Sequence, residues 1–159
     1  MKSTVLASLA LVLAGTGLAA CGEQQAPPAE KTDGKPGVAV TNGRLVLPAV
    51  AGNPAALYFD IVNSGDDYAV LRKAEVPNAK ETMMHETVTA GGVAQMGPLS
   101  PVNLIKGEPV KFEPGGKHVM VMGLDPAPKA GDTTEVTLTF AGGDKLSFNA
   151  AVEAPGGKN

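Results

Sequence analysis

The sequence predicts a single all-β domain, an antiparallel β-sandwich of Greek-key type, and three observations predict it. Short runs of β-forming residues recur along residues 38–153, and turn residues break them at close intervals. No stretch carries a sustained 3.6-residue apolar period with caps. Eight or nine strands in about 115 residues is the strand density of a sandwich.

The expected strands, in order, are Val38–Val40, Arg44–Leu47, Ala56–Val62, Ala69–Val76, Thr82–Val88, Pro109–Glu113, His118–Leu124, Thr134–Phe140 and Lys145–Val152. The breaks carry turn chemistry: Asn42-Gly43, Asn63-Ser64-Gly65-Asp66-Asp67, Gly91-Gly92, Glu113-Pro114-Gly115-Gly116 and Gly142-Gly143-Asp144. Thr134–Phe140 alternates cleanly, with Val136, Leu138 and Phe140 on one side. No internal repeat interrupts the series.

The 159 residues suffice for one ordinary domain. Hydrophobic residues make up 43% and charged residues 18%, a globular balance, with a formal net charge of −3. Lys and Arg are scattered singly, without the basic stripe that neutralises phosphates, so no nucleic-acid partner is expected.

The first twenty residues read as a targeting segment. Lys2 supplies a positive start, and the apolar run Val5–Ala20 is shorter than the ~20 residues of a spanning helix. It ends in Leu18-Ala19-Ala20-Cys21, which resembles the lipobox of bacterial lipoproteins. That resemblance implies cleavage before Cys21, lipidation of its thiol, and a membrane-anchored lipoprotein of the cell envelope facing the periplasm. Cys21 is the only cysteine, so a lipidated chain has neither a disulfide nor a thiolate ligand. Residues 22–37 contain no large apolar side chain and read as a disordered tether with a reach on the order of 20 Å. Residues 154–159 read as a flexible tail.

Beyond the targeting segment there are two histidines, His85 and His118, and five methionines, Met83, Met84, Met96, Met120 and Met122. All seven fall within Met83–Met122. A core-filling role explains methionine alone; the pairing with histidine points to metal. Strand alternation puts His118, Met120 and Met122 on one face, with Val119 and Val121 on the core side. Met83 and His85 share a face, with Met84 and Glu86 opposite. Soft thioethers with imidazole favour Cu(I). Zinc sites use thiolate, imidazole and carboxylate, and calcium or magnesium want oxygen. An electron-transfer copper site needs a cysteine thiolate that this domain lacks.

His85, ten intervening residues, Met96, twenty-one intervening residues, then His118-Val119-Met120 resembles the H-x10-M-x21-H-x-M signature of the periplasmic copper-chaperone family PCuAC. Met84-His85-Glu86, Gly91-Gly92-Val93, Pro114–Met120, Gly123-Leu124 and Gly131-Asp132-Thr133 resemble its flanking blocks. The resemblance covers residues 40–152. It implies a cupredoxin-like sandwich binding one Cu(I) through His85, Met96, His118 and Met120. Met83 and Met122 remain possible secondary donors. The site would lie between the strand and loop carrying His85 and Met96 and a hairpin carrying His118 and Met120. The resemblance further implies a non-enzymatic chaperone that delivers copper toward the dinuclear centre of cytochrome c oxidase. Its acceptor would be the oxidase copper subunit or a thioredoxin-like copper chaperone. The chain departs from the family in lacking a Trp-x-Arg pattern, keeping only Arg44 nearby, and in its lipoprotein start. Two other readings stay open: a copper-buffering or acquisition lipoprotein, and a scaffold module whose Met/His cluster is incidental.

Overall fold

Apolar–polar alternation sets the architecture, because each strand turns one face inward. In the computed structural model, which describes residues 34–156, every regular element is a strand. These are β1 (Val38–Val46), β2 (Ala55–Asn63), β3 (Ala69–Glu75), β4 (Glu81–Ala90) and β5 (Val93–Pro98), followed by β6 (Val102–Leu104), β7 (Val110–Phe112), β8 (Lys117–Met122), β9 (Thr133–Phe140) and β10 (Lys145–Glu153). Cys21 and the segment before Gly34 lie outside the described residues, as do residues 157–159.

The strands hydrogen-bond in the order β5-β4-β8-β7-β2-β1-β10-β9-β3-β6, and β8 also pairs with β2. The ribbon closes on itself. Thr82 in β4 donates its hydroxyl to the Ala74 carbonyl in β3 at 2.6 Å, joining regions far apart in the order. Inside sit Leu57, Phe59 and Ile61 of β2, Val119 and Val121 of β8, Val136 and Leu138 of β9, and Leu146 and Phe148 of β10. Phe59 stacks on Phe112 at 4.4 Å between centroids, and Phe148 meets Phe59 at 5.5 Å. Burial of these faces, on the order of 1.5–3 kcal/mol per large side chain, holds the layers together.

The sandwich matches the expected fold class, and four details differ from the expected elements. Asn42-Gly43 does not end a strand. The β1–β2 register shifts between Thr41 and Arg44, so the pair forms a bulge in one continuous strand. Asn42 takes φ +56° there, and a Cβ on Gly43 would lie 2.6 Å from the Phe148 ring. Two strands, β5 and β6, were not among those expected. The ladder is antiparallel except that β1 pairs with β10, and β7 with β8, in parallel.

The fourth difference concerns His118. It is not on a hairpin with the preceding strand. β7 pairs antiparallel with Phe59–Ile61 of β2, and β8 with Ala55–Leu57 of the same strand. The two short strands therefore run in one direction along β2, and residues 113–116 bulge out between them. The Gly116 N–H donates to the Glu113 carbonyl at 3.0 Å, and Gly115 takes φ +80°, closing this excursion.

The end of the expected tether is also seated on the domain. Lys35 pairs with Asp144 at 2.9 Å, and Ser64 donates to the Gly37 carbonyl at 2.7 Å. Glycine makes this possible, since a Cβ on Gly34 would lie 2.6 Å from Leu146.

Candidate metal centre

Strands β5, β4 and β8 lie side by side and present one outward face. The β4–β8 register sets His85 opposite His118, Met83 opposite Met120, and Glu81 opposite Met122. Val119 and Val121 point the other way into the core, and Met84 packs against it as well. Alternation thus drives valines and one methionine inward and leaves the remaining donors on a common outer face.

The β4–β5 hairpin brings Met96 to that face. Gly91 and Gly92 both take positive φ, +60° and +80°, which allows a two-residue turn. The register then pairs Met96 with Thr87, two residues along from His85 and on its side. The Met96 side chain leans across β4, and its sulfur reaches His118 Nε2 at 3.2 Å. Met96 is 56% exposed, whereas His118 is only 9% exposed. The accessible thioether and the buried imidazole meet at the surface.

The backbone holds His118 in one orientation. Its Nδ1 lies 3.0 Å from the Gly116 carbonyl, which only accepts, so Nδ1–H donates and Nε2 is the nitrogen turned toward the Met96 sulfur. The same carbonyl accepts the Thr87 N–H from β4 at 3.1 Å. The residue 113–116 excursion is therefore pinned to β4 and in turn pins the ring. A ring N–H bound to a backbone carbonyl, leaving the second nitrogen for the metal, is the usual preparation of a metal-ligating histidine. His85 meets His118 edge to face, with ring centroids 6.0 Å apart and planes at 77°. Its Nδ1 is buried without a hydrogen-bond partner. A buried polar atom left bare costs about 1–3 kcal/mol, and a ligand would satisfy it.

The donor set is neutral and soft. No group of three or more His, Cys, Asp or Glu converges among the described residues, so neither a thiolate–imidazole zinc cage nor a carboxylate calcium site is built here. Glu86 pairs with Lys117 at 2.5 Å on the opposite side of the ladder from His85, as alternation requires, and does not orient that ring. Imidazole and thioether together fit Cu(I).

Of the residues predicted from sequence, Met96 and His85 each meet His118 directly. Met120 lies next along β8 on the same face, opposite Met83. Met122 sits a further step away, opposite Glu81. Sequence reasoning missed the Gly116 carbonyl and the Thr87 N–H, whose roles depend on register and carry no residue-type signal.

The LpqE-like lipoprotein family matches residues 38–152. A protein of Leifsonia xyli subsp. xyli (strain CTCB07), "Putative lipoprotein Lxx21020", is 28% identical over 160 residues, spanning 100% of this chain and 93% of that one. The copper-bound PCuAC domain from PmoF2 shares the fold with a TM-score of 0.62 and 24% identity, over 75% of this chain and 94% of that domain. The solution structure of CuI-DR1885 from Deinococcus radiodurans has a TM-score of 0.55 and 27% identity, with 83% of each chain covered. The PCuAC-like character expected from the sequence is therefore present in the fold.

Proposed function

The chain belongs to the LpqE-like lipoprotein family, and from that premise we propose that it is an envelope lipoprotein that carries Cu(I) and hands it on by ligand exchange. In this reading His85, Met96, His118 and Met120 hold one ion, and Cys21 bears the lipid anchor that keeps the domain at the periplasmic face of a membrane. The observation that carries it is the approach of His118 Nε2 to the exposed Met96 sulfur at 3.2 Å, together with the buried His85 Nδ1 that has no hydrogen-bond partner. The copper-bound state of the PmoF2 domain and the Cu(I) form of DR1885, both similar in fold, support copper as the cargo.

The donor chemistry suits carriage better than catalysis. Neutral thioethers bind Cu(I) without the oxidation liability of a thiol in an oxidising compartment. Met96 lies at the surface, where an incoming thiolate reaches copper while the imidazoles still hold it. Copper remains in one oxidation state throughout, so no electron acceptor is needed. From Thr87 to Ile105 the chain has no charged side chain, so the surface around Met96 offers no like-charge barrier to a docking partner. We assign the acceptor to the cytochrome c oxidase assembly route, either the oxidase copper subunit or a thioredoxin-like copper chaperone.

Mixing the Cu(I)-loaded chain with an apo acceptor carrying a dithiolate site tests this. The expected result is stoichiometric movement of copper to the acceptor and recovery of folded apo protein. Copper that stays on the chain would favour a buffering role. Deleting the gene and assaying oxidase activity under copper limitation tests the route; undiminished activity would remove the oxidase from the account.

A further inference from the structure

We infer that Met83 is a fifth donor of the copper site, a thioether that replaces Met96 when the hairpin methionine is drawn away by a partner. The inference rests on the copper reading above and assigns to a residue outside the four-donor set the task of keeping copper coordinated during handover.

Three features of Met83 lead to it. It lies directly opposite Met120 in the β4–β8 register, and it precedes His85 by two residues on the same face. Same-face neighbours along a strand sit about 7 Å apart, within reach of a flexible four-atom side chain. It is also not part of the core. Methionine usually fills gaps in a core, but Met83 is 39% exposed while the adjacent Met84 packs against the core. An exposed, unbranched thioether is a poor choice for stabilising a strand. As a soft donor beside two imidazoles it has a use.

The two exposed thioethers approach the histidines from different places. Met96 comes from the edge strand β5, across β4, to His118. Met83 stands on β4 itself, beyond the β5 pairing that begins at His85, and is held by its pairing with Met120 of β8. Movement of the edge strand β5 alone during docking would carry Met96 away and leave Met83, paired to β8, in place. The step is a simple exchange: the copper–sulfur bond to Met96 breaks as one to Met83 forms. Copper stays Cu(I), and no proton or electron moves.

Carbon-13 labelling of the methionine methyl groups reads this directly. The full processed chain is titrated with Cu(I) as wild type, Met96→Leu, Met83→Leu and the double variant. In the wild type, the Met96 and Met120 methyl signals should move on loading. In Met96→Leu, the Met83 methyl should move by a comparable amount, and Cu(I) affinity should fall by less than about tenfold. The double variant should lose at least about tenfold more than Met96→Leu alone. A Met83 methyl that keeps its apo position in loaded Met96→Leu, or a double variant no weaker than Met96→Leu, would overturn the inference and leave the four-donor site standing. A wild type in which no methionine methyl responds to Cu(I) would overturn the copper reading itself, and this inference with it. Leucine is close to methionine in volume and both positions are exposed, so the variants should fold normally.

Discussion

His85 and His118 are register partners across the β4–β8 ladder, their rings 6.0 Å apart and inclined at 77°. The pairing makes the donor face a property of the sheet, because a one-residue slip of β8 would turn His118 and Met120 inward and Val119 and Val121 outward. The buried valines resist that slip, so the core that stabilises the domain also sets the site.

Removing His118 should abolish the site while sparing the fold. His118→Ala should weaken Cu(I) binding by more than about a hundredfold in a competition titration with a Cu(I) chelator. Its far-ultraviolet circular dichroism should remain that of a β-sandwich. Met120→Leu, which keeps the volume, should weaken binding as well. Wild-type affinity in both variants would remove these residues from the donor set.

Glu86 offers the converse control. Its carboxylate is engaged by Lys117 on the far side of the ladder from His85. Glu86→Gln should therefore leave Cu(I) affinity within about twofold, and a partly exposed ion pair of this kind contributes at most about 1 kcal/mol to stability. A large loss of copper affinity with unchanged stability would mean that Glu86 orients the His85 ring after all.

The core makes a separate prediction. Phe59 lies between Phe112 and Phe148 and is almost fully buried. Phe59→Ala should cost about 3–5 kcal/mol in urea unfolding. Loss below about 1 kcal/mol would show that the aromatic cluster does not carry the packing between the layers.

The bulge in β1 tests the close approach of backbone to ring. A valine at position 43 would place its Cβ against Phe148 and force the ring or the strand to move. Gly43→Val should destabilise by about 1–3 kcal/mol, measured as a lower urea midpoint. An unchanged midpoint would show that the bulge has room to relax.

Much of this arrangement was legible in the sequence because its causes are local. Alternation in Lys117–Met122 placed Val119 and Val121 inward, and the same rule separated Met83 from Met84 and Glu86 from His85. Strands with strong alternation, such as Thr133–Phe140, were visible for the same reason. Strand β5 was not, because Val93–Pro98 is almost wholly exposed and mixes small, polar and turn-forming residues with no apolar face. Strand β6 is three residues long, too short for any period to register. Asn42-Gly43 carries true turn chemistry, yet pairing on both sides absorbs it as a bulge. The reach of Met96 across β4 to His118 was hidden because residues twenty-two apart in sequence meet only through the order of three strands.

X-ray absorption at the copper edge of the Cu(I)-loaded wild-type chain tests the central claim most directly. The account predicts a mixed shell of imidazole nitrogen and thioether sulfur in about equal number, with no thiolate. A shell of nitrogen and oxygen without sulfur, or a chain that takes up no Cu(I) under competition, would contradict it.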